Sequence, residues 1–173
     1  MVATRQESAS SPSWSSALTT ALPRDVQSCY ELFCAIERTP EWLPVVRSAV
    51  VNRRDDRGRP DQVSFLARLV RATIGYTCTY EYTDGPDGVR QVSWRTRADA
   101  NFRVKGIARF APLTAPSTDA AQPPGSAGTC LMLYTLDVDL GPGDLPTWCD
   151  THFAAHPASA ALAEFREFVL RAL

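Results

Sequence analysis

The sequence predicts an α+β fold: an antiparallel sheet of about seven strands, two short helices after the first strand and a long helix at the C-terminal end. Three observations predict it. From Pro60 to Leu140, apolar residues recur at every second position: Val63, Phe65, Ala67 and Leu69, then Tyr76, Cys78, Tyr80 and Tyr82. Phe102, Val104, Gly106, Ala108 and Phe110 follow, and then Cys130, Met132, Tyr134, Leu136 and Val138. The other parity is polar, with Arg68, Thr77, Thr79, Glu81, Arg103, Lys105, Arg109, Asp137 and Asp139. Such a period of two marks a sheet with one wet face and one covered face. Second, the spacing shifts towards the helical repeat on both sides of this block. Third, Gly- and Pro-rich turn sequences separate the strand patterns.

Each element follows in order. Residues 1–13 are Ser-rich and poor in large apolar side chains, a composition that predicts a disordered tail. Trp14 to Leu22 alternates weakly, with Trp14, Leu18 and Leu22 against Ser15 and Thr19, and reads as the first strand. Pro23 is suited to a first helical turn, and Val26, Tyr30, Phe33 and Glu37 space a stripe beyond it. Thr39-Pro40 is expected to end that helix. Between Pro40 and Pro44 there is room for one turn that sends Trp42 and Leu43 inward. Val45 to Asn52 reads as the second strand, and Arg53 to Asp61 as a turn. Asp84-Gly85-Pro86-Asp87-Gly88 is a hairpin turn by composition, and Thr96 to Ala100 forms another. A polar Pro/Ser/Ala/Gly loop fills Thr114 to Gly128; slack rather than a lid is its simpler reading. After Gly141-Pro142-Gly143, Asp144 is placed as an N-cap for Leu145, Trp148, Cys149, His152 and Phe153, which fit a 3.6 repeat. Pro157 predicts a kink or break near His156, and Leu162, Phe165, Phe168, Val169 and Leu173 resume the stripe.

Composition narrows the function classes. A chain of 173 residues can bury a substantial core as one domain. A net charge of −1 gives no overall electrostatic footprint for nucleic acid or an anionic membrane. No apolar run approaches a bilayer-spanning length, and Met1 to Ser13 lacks the basic start and apolar stretch of a secretory signal, so a cytoplasmic location is expected. Five scattered cysteines, an odd number, fit reduced thiols better than a disulfide framework. Lys105 is the only lysine among 18 basic residues, a skew that points to GC-rich coding and a bacterial source. There is no glycine-rich phosphate loop, nucleophile elbow or paired-carboxylate motif, and no cofactor is expected.

The order strand, helix, short helix, six strands, long helix resembles that of the START-like, or SRPBCC, superfamily, which includes polyketide cyclases/dehydrases and coenzyme Q-binding proteins. The local resemblance lies in Ala21-Leu22-Pro23-Arg24-Asp25-Val26, in Glu41-Trp42-Leu43-Pro44 and in Val92-Ser93-Trp94. It continues in Gly106 to Pro112 and in the closing Ala163-Glu164-Phe165-Arg166-Glu167-Phe168, and so spans residues 14–173 as a single domain. The resemblance implies a helix-grip: a curved antiparallel sheet wrapped around a long C-terminal helix, with a ligand cavity between them. Members hold lipids, isoprenoids, polyketides or plant hormones there. The residues alone point the same way, because a sheet covered by a broken helix and one short helix leaves room for an apolar pocket.

Several constellations are candidates for chemistry. Cys149, His152 and His156 share a helical face at the spacing i, i+3, i+7, which suits three metal ligands. No fourth ligand stands nearby, so no metal is expected, and a cavity-edge histidine is the better reading. Tyr76, Tyr80, Tyr82 and Tyr134 lie on the apolar parity, with Trp94 on the adjoining strand. Each tyrosine brings an apolar ring and one hydroxyl that needs a partner when buried; they serve either as core or as a grip on an aromatic or polyene body. Arg71 continues the inward parity only if its strand runs that far; a turn is the simpler reading. Arg68, Arg95, Arg97, Arg103, Lys105 and Arg109 crowd the wet face and would suit an acyl carrier protein, although Glu81, Asp137 and Asp139 beside them favour cross-strand pairing.

The expected function is binding of a lipid, isoprenoid quinone or polyketide by Trp42, Tyr76, Tyr80, Trp94, Phe102, Met132, Tyr134, His152 and His156. The alternative is a cyclase/aromatase that performs aldol closure and dehydration in the same cavity, with Tyr134 and His152 as the catalytic candidates. A third reading is an interaction module that works through the basic face.

Overall fold

The computed structural model describes residues 13–68, 73–97, 103–113, 130–139 and 157–172. The chain begins with β1 (Ser13–Leu22), α1 (Val26–Cys34), a 3-10 turn (Ile36–Arg38) and α2 (Thr39–Trp42). Six strands follow: β2 (Val46–Arg54), β3 (Pro60–Arg68), β4 (Thr73–Asp84), β5 (Arg90–Thr96), β6 (Arg103–Pro112) and β7 (Cys130–Asp139). A second 3-10 turn, Pro86–Gly88, joins β4 to β5, and α3 (Pro157–Arg171) comes last. The strands form one seven-stranded antiparallel sheet in the order β1-β7-β6-β5-β4-β3-β2. It curves around α3 as a helix-grip.

Register confirms the alternation, since residues directly opposite one another share a face. Val63, Phe65 and Ala67 face Cys78, Tyr76 and Ile74. Tyr80 and Tyr82 face Trp94 and Val92, which in turn face Gly106 and Ala108. Those meet Leu136 and Tyr134 on β7, and Tyr134 pairs with Leu18 of β1. The inner face is therefore one continuous apolar surface across all the strands, and the outer face carries the charges.

The first helix differs in its limits from the sequence expectation. Asp25, in extended conformation, is the N-cap; its carboxylate accepts the Ser28 amide at 2.9 Å and the Ser28 hydroxyl at 2.6 Å. Pro23 and Arg24 lie in the bend before it. The buried stripe is Cys29, Tyr30 and Phe33, while Glu37 is exposed and pairs with Arg54. Thr39-Pro40 does not end α1, which stops at Cys34; it opens α2, with Pro40 in the first turn and the Thr39 hydroxyl donating to the Ile36 carbonyl at 2.7 Å. Proline fits there because a first-turn amide has no intrahelical acceptor to lose.

β2 and β3 also run further than the composition suggests. Arg53 bridges the hairpin to Asp61 at 2.8 Å, and Asp55 closes the turn by accepting the Arg57 and Arg59 amides at 2.9 and 2.8 Å. Pro60 is tolerated as the first residue of its strand. In the β4–β5 connection Asp87 and Gly88 both adopt positive φ, 55° and 76°, a conformation suited to Gly and tolerated by Asp. α3 starts at Pro157 and packs Ala158, Ala161, Leu162, Phe165, Phe168 and Val169 onto the inner face. Arg24 donates to the Ala172 carbonyl, tying the C-terminal end of α3 to the start of α1. The tail over residues 1–12, the 114–128 loop, Arg71 and the expected helix from Asp144 lie outside the described residues.

Candidate functional site

The core is divided. One cluster joins α1, α3 and Trp42 to β5, β6 and β7, including Phe33, Phe110, Phe165 and Met132. A smaller one gathers Ile36, Val46, Val63, Phe65 and Cys78. Leu43, Tyr80 and Trp94 touch both clusters. Where the two fail to meet there is a pocket with about 160 Å³ of space open to the centres of water molecules.

Its walls come from every layer. Tyr76, Cys78 and Tyr80 arrive from β4, Trp94 from β5, and Tyr134, Leu136 and Val138 from β7. Phe65 and Ala67 come from β3, and Phe33, Trp42 and Ala161 from α1, α2 and α3. The rings interlock: Phe33 lies 6.0 Å from Trp42 and 5.8 Å from Trp94, while Trp94 lies 5.5 Å from Tyr134 and 6.4 Å from Tyr80. Phe65 stacks on Tyr76 at 5.3 Å.

Trp94 owes its position to a glycine. Gly106 sits directly opposite it on β6, and a Cβ there would stand 2.2 Å from an indole carbon and 2.8 Å from the Thr135 carbonyl oxygen. No side chain other than hydrogen lets the indole lie across β6 and reach Tyr134.

Of the residues expected at a site, Trp42, Tyr76, Tyr80, Trp94 and Tyr134 line this pocket. Met132 does not line it; it is fully buried opposite Phe110 in the larger cluster. Phe102, His152 and His156 lie outside the described residues, as does Cys149. Among the described residues no cluster of three His, Cys, Asp or Glu side chains could hold a metal ion. The expected site left out most of the aliphatic lining; five instructive cases are Phe33, Ile36, Val46, Val104 and Ala161. Parity already placed Val104 on the inner face; the other four lie in helices, turns or beside a β-bulge, where no period of two applies.

Among the described residues the lining is apolar apart from Thr39, Tyr76, Tyr80, Tyr134 and Cys78, and no charged side chain contributes. Burial raises the Tyr76, Tyr80 and Tyr134 hydroxyls well above the ordinary tyrosine pKa and pushes the Cys78 thiol up to about 12. At neutral pH the phenols are therefore donors and the thiol is protonated. Tyr82 points elsewhere, with its hydroxyl donating to the Pro60 carbonyl at 2.5 Å and Arg59 stacked 4.4 Å above its ring.

On the outer face, Arg95 pairs with Glu81 at 3.4 Å and Lys105 with Asp137 at 3.3 Å. Cross-strand pairing thus engages the centre of the basic patch. No helix among the described residues is long and apolar enough to cross a membrane.

Similarity to solved structures follows the geometry. The Zhui aromatase/cyclase from Streptomyces sp. R1128 superposes with a TM-score of 0.68 at 13% identity, over 92% of this chain and 95% of that one. The fold is that of the START superfamily. A START superfamily protein from Mycobacterium smegmatis gives a TM-score of 0.67 at 16% identity, covering 92% of this chain and 99% of its own. A STAR-related lipid transfer protein from Xanthomonas axonopodis gives 0.61 at 13% identity, covering 87% and 82%. At these identities the START likeness is one of fold. No protein-family model matches the sequence, and no curated protein matches it.

Proposed function

We propose that the protein binds a hydrophobic small molecule, a lipid, isoprenoid quinone or polyketide, between the sheet and its helices, and carries or presents it. The observation that carries this reading is the division of the core: two clusters stop short of one another around an aromatic-walled pocket. A packing accident of that size would forfeit dispersion contacts over the whole lining. The START-like neighbours add that the same fold serves a lipid transfer protein in Xanthomonas axonopodis.

Native mass spectrometry of freshly purified protein, followed by solvent extraction, tests the reading. The expected result is an adduct of a few hundred daltons that organic solvent releases, or uptake of a quinone, polyketide or fatty acid by the empty protein. Absence of a co-purified ligand together with no uptake of any such compound overturns it.

A second reading, polyketide cyclisation with dehydration, is favoured by the superposition on the Zhui aromatase/cyclase and by the phenols on the pocket wall. In it Tyr134 holds its proton and donates to an enol or carbonyl oxygen during aldol closure, while the base comes from outside the described lining, where His152 is the candidate. The basic outer face would then meet the acyl carrier protein. In a reconstituted polyketide synthase, Tyr134→Phe and His152→Ala should alter product regiochemistry, and unchanged product removes this reading.

A further inference from the structure

We propose that the pocket selects uncharged, flat ligands that carry a hydrogen-bond-accepting oxygen, a ketone or quinone rather than a carboxylate, and that the Tyr80 and Tyr134 hydroxyls read that oxygen. The inference rests on the ligand-binding reading above and narrows it to a chemical class.

Three observations carry it. No Arg, Lys, His, Asp or Glu contributes to the described lining, so an anionic head inside would give up its hydration without a counter-charge. The Tyr80 and Tyr134 hydroxyls have no hydrogen-bond partner among the described residues. They differ from the sealed, unpartnered side-chain atoms, which are Arg24 Nε and Tyr30 Oη; the open space beside them is the pocket. The third is the shape of the wall. Trp94 stacks against Tyr80 at 26° between planes and packs on Tyr134 at 39°, so three flat rings line the cavity side by side.

Two of the other polar groups, Thr39 and Cys78, do not compete for the role, and Tyr76 has an interaction of its own. Thr39 is satisfied by the Ile36 carbonyl, and a thiol is a weak donor. Burial holds both phenols protonated, so each offers a hydrogen, and neither has an acceptor among the described residues. A carbonyl oxygen with two lone pairs can take one or both. A pure hydrocarbon would leave both hydroxyls dry and unpaired, which makes it a poor ligand despite the apolar wall.

Three probes of one shape, 2-acetylnaphthalene, 2-ethylnaphthalene and 2-naphthoate, and one open chain, laurate, separate the possibilities. Calorimetric titration of the full chain at neutral pH is expected to rank the ketone first, about tenfold or more above the hydrocarbon and further above both carboxylates. Tyr80→Phe and Tyr134→Phe should each reduce the ketone's advantage, by weakening the ketone and by removing the unpaired hydroxyl that penalises the hydrocarbon. Equal binding of ketone and hydrocarbon, or tighter binding of either carboxylate, overturns the selectivity and leaves the pocket reading standing. Absence of binding by all four overturns both. The wild-type ranking decides the matter even where a variant fails to fold.

Discussion

Gly106 shows how one residue sets the site. Its missing Cβ is the space that the Trp94 indole occupies, and Thr135 closes the third side. Gly106→Ala should displace the indole, destabilise the fold by about 1–3 kcal/mol and weaken ligand binding. Urea denaturation and a binding titration measure the two effects, and unchanged values of both would disprove the packing argument. Tyr30 makes the opposite case. Its hydroxyl is sealed near Cys34 and Arg59 in hydrogen-bonding geometry with neither, and burial pushes its pKa up to about 12. Tyr30→Phe removes an unpaired polar atom and keeps the ring that meets Phe110 edge-on at 6.1 Å. Its denaturation midpoint should match or exceed that of the parent, by up to about 1 kcal/mol; a clear loss would mean the hydroxyl has a partner after all. The inward parity of Gly106 and the place of Tyr30 on the buried stripe of α1 were both legible in the sequence. The need for glycine itself was not, because it arises from a side chain on the next strand.

At the scale of elements, strands were easier to read than helix limits. A two-residue period survives any register, so the inner and outer faces followed from the alternation of Val63 to Val138 alone. Helix ends depend on single hydrogen bonds. Asp25 caps α1 with both carboxylate oxygens, two residues beyond the Pro23 that the sequence suits to a first helical turn. The short α2 was legible from its two prolines, yet its anchoring was not. Arg38 holds Glu41 at 2.7 Å and lies 4.9 Å over the Phe168 ring of α3, so the turn bearing Trp42 is pinned to the C-terminal helix. The Asp25 cap gives a pH test. Its hydrogen bonds to Ser28 hold the carboxyl below its ordinary pKa. A depressed carboxyl contributes stability above its unfolded pKa, and that contribution fades as pH falls through the folded value. Asp25→Ala should therefore cost about 1 kcal/mol at neutral pH and almost nothing once the wild-type carboxyl is protonated. Thermal melts of both proteins across the acid range measure the convergence; a gap that persists at the lowest pH would assign the effect to something other than the cap.

For the whole molecule, the question is whether the divided core is a defect or a design. A defect and a binding site make different predictions when the space is filled. Ala67, on β3, faces the pocket opposite Val46 and Ile74. Ala67→Leu projects added methyl groups towards the void between the two clusters. If the void is only lost packing, the substitution raises stability and changes nothing else. If it is a ligand site, the substitution raises the stability of the empty protein, by up to about 2 kcal/mol, and lowers affinity for the ketone probe by an order of magnitude. The two measurements are linked by mass action: a ligand at 100 times its Kd stabilises the folded state by about 2.7 kcal/mol. Wild type should therefore melt higher with ligand than without it, whereas Ala67→Leu should melt high in both conditions with little difference between them. A variant that gains stability and keeps the full ligand-induced shift would show that the ligand sits elsewhere in the fold.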